Sequence, residues 1–126
     1  MNKIIAAAAG LVMVAGAALA EPATGTWKTQ TGESGGFIHV KIAPCGSKIC
    51  GTITKVVGND NQSIVGRKII NGMKSNGGGK YSGGTIWAPD VDKTYKSKMT
   101  LSGNKLKVSG CVGGGLICRS QTWTRL

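Results

Sequence analysis

The sequence predicts an all-β chain folded as a small up-and-down antiparallel β-barrel of about eight strands. Three observations predict it. Short runs of alternating apolar and polar residues recur along the chain, separated by turns rich in glycine, proline, asparagine and aspartate. Beyond the N-terminal leader no stretch carries a convincing helical period. The last run, Ile117 to Arg125, sets Ile117, Arg119, Gln121, Trp123 and Arg125 on one face and Cys118, Ser120, Thr122 and Thr124 on the other, so a bulky amphipathic face must lie against something. The first run, which holds Trp27, supplies that partner. Joining the two ends closes the sheet and removes its exposed edges.

The chain opens with Lys3, an apolar run over residues 4–14 and Ala18-Leu19-Ala20 before Glu21. This reads as a secretory signal peptide over residues 1–20, cut after Ala20. The product is periplasmic or secreted, with no transmembrane segment left in the mature chain. Residues 21–126, about 106 of them, make a single domain. A chain of that size buries only about 60–68% of its unfolded surface, so covalent staples matter.

Residues 21–25 lead into a first strand over 26–31, with Trp27 and Thr29 on one side. After a glycine loop at 32–36, residues 37–43 place Ile38, Val40 and Ile42 on one face against Phe37, His39 and Lys41. A turn at 44–48 returns the chain through 49–57, where Ile49, Gly51, Ile53 and Val57 should face inward. Residues 58–63 form a polar loop. The stretch 64–73, IVGRKIINGM, holds two glycines that weigh against a helix, and it is read as extended or irregular, packed over one end of the fold.

KSNGGGK, residues 74–80, reads as a flexible loop and entrance flap. In 81–88 the pair Gly83-Gly84 marks a bend or a close backbone approach. After the turn at 89–92, residues 93–101 alternate, with Tyr95, Ser97, Met99 and Leu101 against Thr94, Lys96, Lys98 and Thr100. A turn at 102–104 leads to Leu106 and Val108 facing inward between outward lysines.

The mature chain keeps four cysteines, in the short-spaced pairs Cys45/Cys50 and Cys111/Cys118. In an exported protein this reads as a disulfide framework with three connectivities open. The local pairing Cys45-Cys50 and Cys111-Cys118 is favoured because each pair brackets a turn where two strands already lie close. Neither spacing suits a zinc site and His39 is the single histidine, so no metal is expected.

Sixteen basic residues oppose five acidic ones, for a formal net charge of +11, of which Lys3 would leave with the leader. Such a surface attracts polyanions. Its lysines are single and spaced along strands with little aromatic interleaving, which argues against nucleic acid and towards a solvated exterior or contact with anionic lipid or polysaccharide of the envelope.

Gly25-Thr26-Trp27, Pro44-Cys45-Gly46 with Cys50-Gly51, Tyr81 followed by Ser82-Gly83-Gly84-Thr85-Ile86, the turn Pro89-Asp90 before Lys93-Thr94-Tyr95, and Gly110-Cys111 with Gln121-Thr122-Trp123-Thr124-Arg125 together resemble the DUF2147 family of small exported bacterial proteins, which have no assigned activity. Gly25-Thr26-Trp27 with a basic residue near the last strand, Arg125 or Arg119, is also similar to the lipocalins and other calycins. That resemblance implies a guanidinium lying over the Trp27 indole, with Trp27, Trp123 and Arg125 closing the barrel.

Catalytic groups are sparse. His39 falls on the outward, lysine-bearing face, Asp90 and Asp92 occupy a turn, where aspartate is expected, and Gly77-Gly78-Gly79-Lys80 has neither the Ser or Thr nor the strand-to-helix setting of a phosphate loop. No enzyme and no cofactor are expected. A barrel of this size either fills its interior or holds one small ligand. The candidate wall of a pocket for an amphipathic or apolar molecule is Trp87, Tyr95, Met99, Arg119 and Gln121, with Arg119 set to receive an acidic head. The alternative is a cationic envelope protein with a solid core.

Overall fold

The computed structural model describes residues 22–126; the leader assigned to residues 1–20 lies outside them. Eight strands, β1 (Gly25–Lys28), β2 (Phe37–Cys45), β3 (Lys48–Val57), β4 (Lys68–Gly77), β5 (Lys80–Ala88), β6 (Lys93–Ser102), β7 (Lys105–Val112) and β8 (Ile117–Arg125), form one closed barrel in sequence order. Every neighbouring pair is antiparallel, and β8 returns to β1 through Trp27 opposite Arg125 and Lys28 opposite Thr124.

Alternation fixes which side chains fill the barrel, and bulges adjust it. Along β2 and β3, His39 faces Lys55 but Val40 faces Ile53, so Thr54 is the extra residue of a bulge, and its hydroxyl donates to the His39 carbonyl at 3.4 Å. One inserted residue flips the parity beyond it. Val56 is therefore buried and opposite Ile38, whereas the uninterrupted alternation of the sequence pointed to Val57.

The stretch read as extended or irregular is extended from Lys68 onward, and the glycine loop expected after it is part of the same β4–β5 hairpin. A short 3-10 turn, Gln62–Ile64, precedes β4, which runs through Lys74 to Gly77, and the chain turns only at Gly78 and Gly79. No entrance flap lies there. Gly72 at φ 68° sits at the register step of β4 against β3, and Gly83 at φ 82° at the step of β5 against β6. Between them Gly84 lies so close to β4 that a Cβ on it would sit 2.5 Å from the Asn71 carbonyl oxygen and 2.6 Å from the Met73 sulfur. The bend and close approach read from Gly83-Gly84 are both present.

The core lies toward one end of the barrel. Trp27, Val40, Ile42, Ile53, Ile70, Met73 and Leu106 are fully buried, with Trp123, Met99 and Val108 nearly so. Tight turns at residues 46–47, 78–79 and 103–104 and both ends of the described chain gather at this closed end. The longer connections, residues 29–36, 58–67, 89–92 and 113–116, gather at the opposite, open end.

Both disulfides join the local pairs, Cys45 to Cys50 and Cys111 to Cys118. The first staples the β2–β3 turn at the closed end; the second lies at the open end, where Cys111 and Cys118 are register partners.

Candidate functional site

At the open end a cavity of about 1240 Å³ enters the barrel. Its inner wall is apolar: Ile38, Val56, Ile69, Ile86, Val108 and Trp123 line it, with Ile64 at the side. It exists because the wall thins here. β1 stops at Lys28, so no strand among the described residues pairs with the outer edge of β8 from Ile117 to Gln121. The Gln30 side chain stands in for one, its Oε1 accepting the Thr122 N–H at 3.2 Å. On the neighbouring strand β7, opposite Arg119, Gly110 leaves room for larger neighbours. A Cβ there would meet Ile86 Cγ2 at 3.2 Å and the Tyr95 Cβ at 3.6 Å.

Of the residues selected from the sequence, Tyr95, Arg119 and Gln121 line this cavity together. Tyr95 is opposite Ile86, and Arg119 and Gln121 are opposite Gly110 and Val108, all on the inner face. The Trp123 indole N–H donates to Gln121 Oε1 at 2.9 Å, which orients the amide. Arg119 is exposed and makes no hydrogen bond or ion pair among the described residues.

Two selected residues are placed differently. Met99 is only 2% exposed, opposite Val108 and Tyr81, and belongs to the core rather than the cavity lining. Trp87 reaches the rim but stands opposite Thr94, on the face away from Ile86 and Tyr95. Its ring lies under the Arg67 guanidinium, 3.7 Å from centroid to Cζ, and its indole N–H donates to Asp92 Oδ1 at 2.8 Å. Asp92 holds φ 50°, a conformation that aspartate tolerates in turns. Nothing in the sequence linked Arg67 to Trp87, since the 3-10 turn that presents it was not legible.

The family model that matches this chain is DUF2147, described as an uncharacterized protein conserved in bacteria, and it spans residues 25–125. The chain belongs to the DUF2147 family. No curated protein matches it. Among solved structures it is similar to HP1028 from the human pathogen Helicobacter pylori, a protein reported to belong to the lipocalin family, with a TM-score of 0.68, 19% identity and 82% of each chain covered. That likeness is one of fold.

Arg125 and Trp27 meet at the β1–β8 seam of the DUF2147 barrel. The Arg125 guanidinium lies 4.4 Å from the centre of the Trp27 ring, and its two terminal nitrogens donate to the carbonyls of Thr24 at 3.0 Å and Pro22 at 2.8 Å. The Trp27 indole N–H donates to the Ala23 carbonyl at 2.9 Å. Arg119, the other candidate for this role, is left facing the cavity.

His39 stays on the outer face of β2, stacked on Phe37 with ring centroids 5.8 Å apart, and the Lys28 ammonium lies 4.4 Å from the Phe37 centroid. Partial burial, then Lys55 and Lys28, hold its pKa below the ordinary 6.5. Among the described residues no group of three or more His, Cys, Asp or Glu could hold a metal ion.

Proposed function

We propose that this DUF2147 protein is an exported binder of one small amphipathic molecule, taken up through the open end of the barrel, and that it acts without catalysis. The carrying observation is the pairing of an apolar inner wall with an unengaged cation: Ile38, Val56, Ile69, Ile86 and Val108 supply the wall, and Arg119 is the only basic side chain lining the cavity among the described residues. The apolar tail of such a ligand gains about 0.8 kcal/mol per buried methylene. An acidic head beside Arg119 gains a bidentate, charge-assisted pair. A head left further out would meet Glu33 and Asp90, which line the mouth and repel an anion.

Native mass spectrometry of the protein purified gently from its host envelope tests this, together with titration by a fluorescent fatty acid. Co-purified acyl species, and a 1:1 titration that an Arg119→Gln variant weakens, are the expected results. A barrel that is always empty and binds no amphiphile overturns the reading. The lysine-bearing exterior favours a second activity, contact with anionic envelope material, which uses a different surface and is compatible with the first.

A further inference from the structure

The side-chain carboxylates of the barrel are sorted by end; the lysines are not. The acidic side chains of the described residues are Glu33, Asp60, Asp90 and Asp92, and every one lies in an open-end connection: Glu33 between β1 and β2, Asp60 between β3 and β4, Asp90 and Asp92 between β5 and β6. The closed end carries no acidic side chain among the described residues. Each of its three hairpins begins the return strand with a lysine that has no side-chain carboxylate at that end: Lys48 opens β3, Lys80 opens β5 and Lys105 opens β7, whereas Lys68 and Lys93, which open β4 and β6, share the other end with all four acids. All three are exposed, and the turns before them, Gly46-Ser47, Gly78-Gly79 and Gly103-Asn104, bear only small or neutral side chains.

We infer that the closed end, through Lys48, Lys80 and Lys105, is a docking face for an anionic lipid bilayer, holding the cavity mouth away from the surface. The inference rests on the envelope-contact reading and adds to it a face and an orientation. Alternate strands of the ring carry the three ammonium groups, so they stand around the base of the barrel and can meet a charged plane together. A linear polyanion is recognised along a groove, and the closed end is built of short turns instead. Apolar insertion would select the other end, because Val91, Val112, Leu116 and Ile117, exposed by 47–89%, lie at the mouth, against Leu126 at the closed end. The carboxylates Glu33, Asp60 and Asp90 at that end oppose its approach to an anionic surface.

The test places an environment-sensitive dye on the disulfide-bonded protein at Ser47→Cys, in the closed-end turn, or at Ser34→Cys, in the open-end loop. Each is mixed with phosphatidylglycerol–phosphatidylcholine vesicles carrying a headgroup quencher at low salt. Quenching at position 47 and not at 34 is expected, together with about a hundredfold weaker binding for the K48Q/K80Q/K105Q variant. The E33Q/D60N/D90N variant, which raises net charge by the same amount at the far end, should bind within about threefold of the parent. Quenching at 34 as strong as at 47, or unchanged binding by the lysine variant, overturns the orientation and leaves the envelope-contact reading standing. No binding to anionic vesicles overturns the lipid docking face; capture by acidic polysaccharide alone does the same while leaving the envelope-contact reading standing, and binding to neither overturns both.

Discussion

Arg125 stands opposite Trp27 across the β1–β8 seam, with its guanidinium carbon 4.4 Å from the centre of the indole ring. The seam has only two register pairs, Trp27 with Arg125 and Lys28 with Thr124, so side chains must do what the short ladder does not. Arg125→Ala removes the cation–π contact and both bonds to the Thr24 and Pro22 carbonyls, and should destabilise by about 1–3 kcal/mol. Arg125→Lys keeps the charge but cannot span both carbonyls, and should recover about half. Equilibrium urea denaturation measures both. A loss below about 0.5 kcal/mol for the alanine variant would mean that the ladder alone holds the seam.

The same two residues show why the closure was legible in the sequence. Gly25-Thr26-Trp27 and Trp123-Thr124-Arg125 are local patterns at the two ends of the domain, and bulk on the last strand demanded a partner. Alternation also gave the inward set of β2, β6 and β7. It failed where parity breaks at Thr54, because a bulge is a relation between two strands that neither strand's own pattern announces. Trp87, beyond the step at Gly83, stands opposite Thr94, lines the cavity rim and packs against the core. Tyr95, Arg119 and Gln121 were legible because β6 and β8 run without a register shift against β7.

Gly84 should tolerate no side chain. A Cβ there would lie 2.5 Å from the Asn71 carbonyl oxygen and 2.8 Å from the Gly72 carbonyl carbon, and backbone cannot retreat without parting β4 from β5. Gly84→Ala should cost about 1–3 kcal/mol or more. Gly32→Ala, whose Cβ would meet only the Gly36 carbonyl oxygen at an ordinary 3.5 Å, should cost less than about 0.5 kcal/mol. Thermal melts of the two variants compare them directly.

Each disulfide closes a short loop, so replacing either pair with serines should cost about 2 kcal/mol. The two lie at opposite ends and share no partner, and their losses should add. Their effects on function should differ. Cys111 and Cys118 tie β7 to β8 beside Val112 and Ile117, which line the cavity. Losing that pair should weaken uptake of the fluorescent fatty acid, and losing Cys45–Cys50 should leave uptake unchanged once stability is matched.

Within the cavity Arg119 and Ile86 should separate head from tail. Arg119→Gln should weaken a fatty acid by about tenfold or more and its uncharged alcohol hardly at all. Ile86→Trp, which fills the wall opposite Tyr95, should weaken both alike. Calorimetric titration of the acid and alcohol against each variant gives the comparison. An equal loss for both ligands in Arg119→Gln would remove Arg119 from head recognition.

His39 makes stability depend on pH with a fixed sign. Partial burial, followed by Lys55 and Lys28, holds the folded imidazole below its ordinary pKa of 6.5, so between the two values the unfolded chain binds more protons than the folded one. Its contribution is therefore fully present above about pH 6.5, is lost as pH falls through the folded value, and stays constant below that. The imidazole is only partly buried, so the effect on the denaturation midpoint should be small, and the direct measurement is a histidine ring titration by NMR. Lys55→Gln should move that titration upward, because it removes a repelling charge from β3, and should move it less than full exposure would, because burial is the larger cause. A midpoint at or above 6.5 in the parent protein would show that the packing of His39 against Phe37 does not exclude water from the ring.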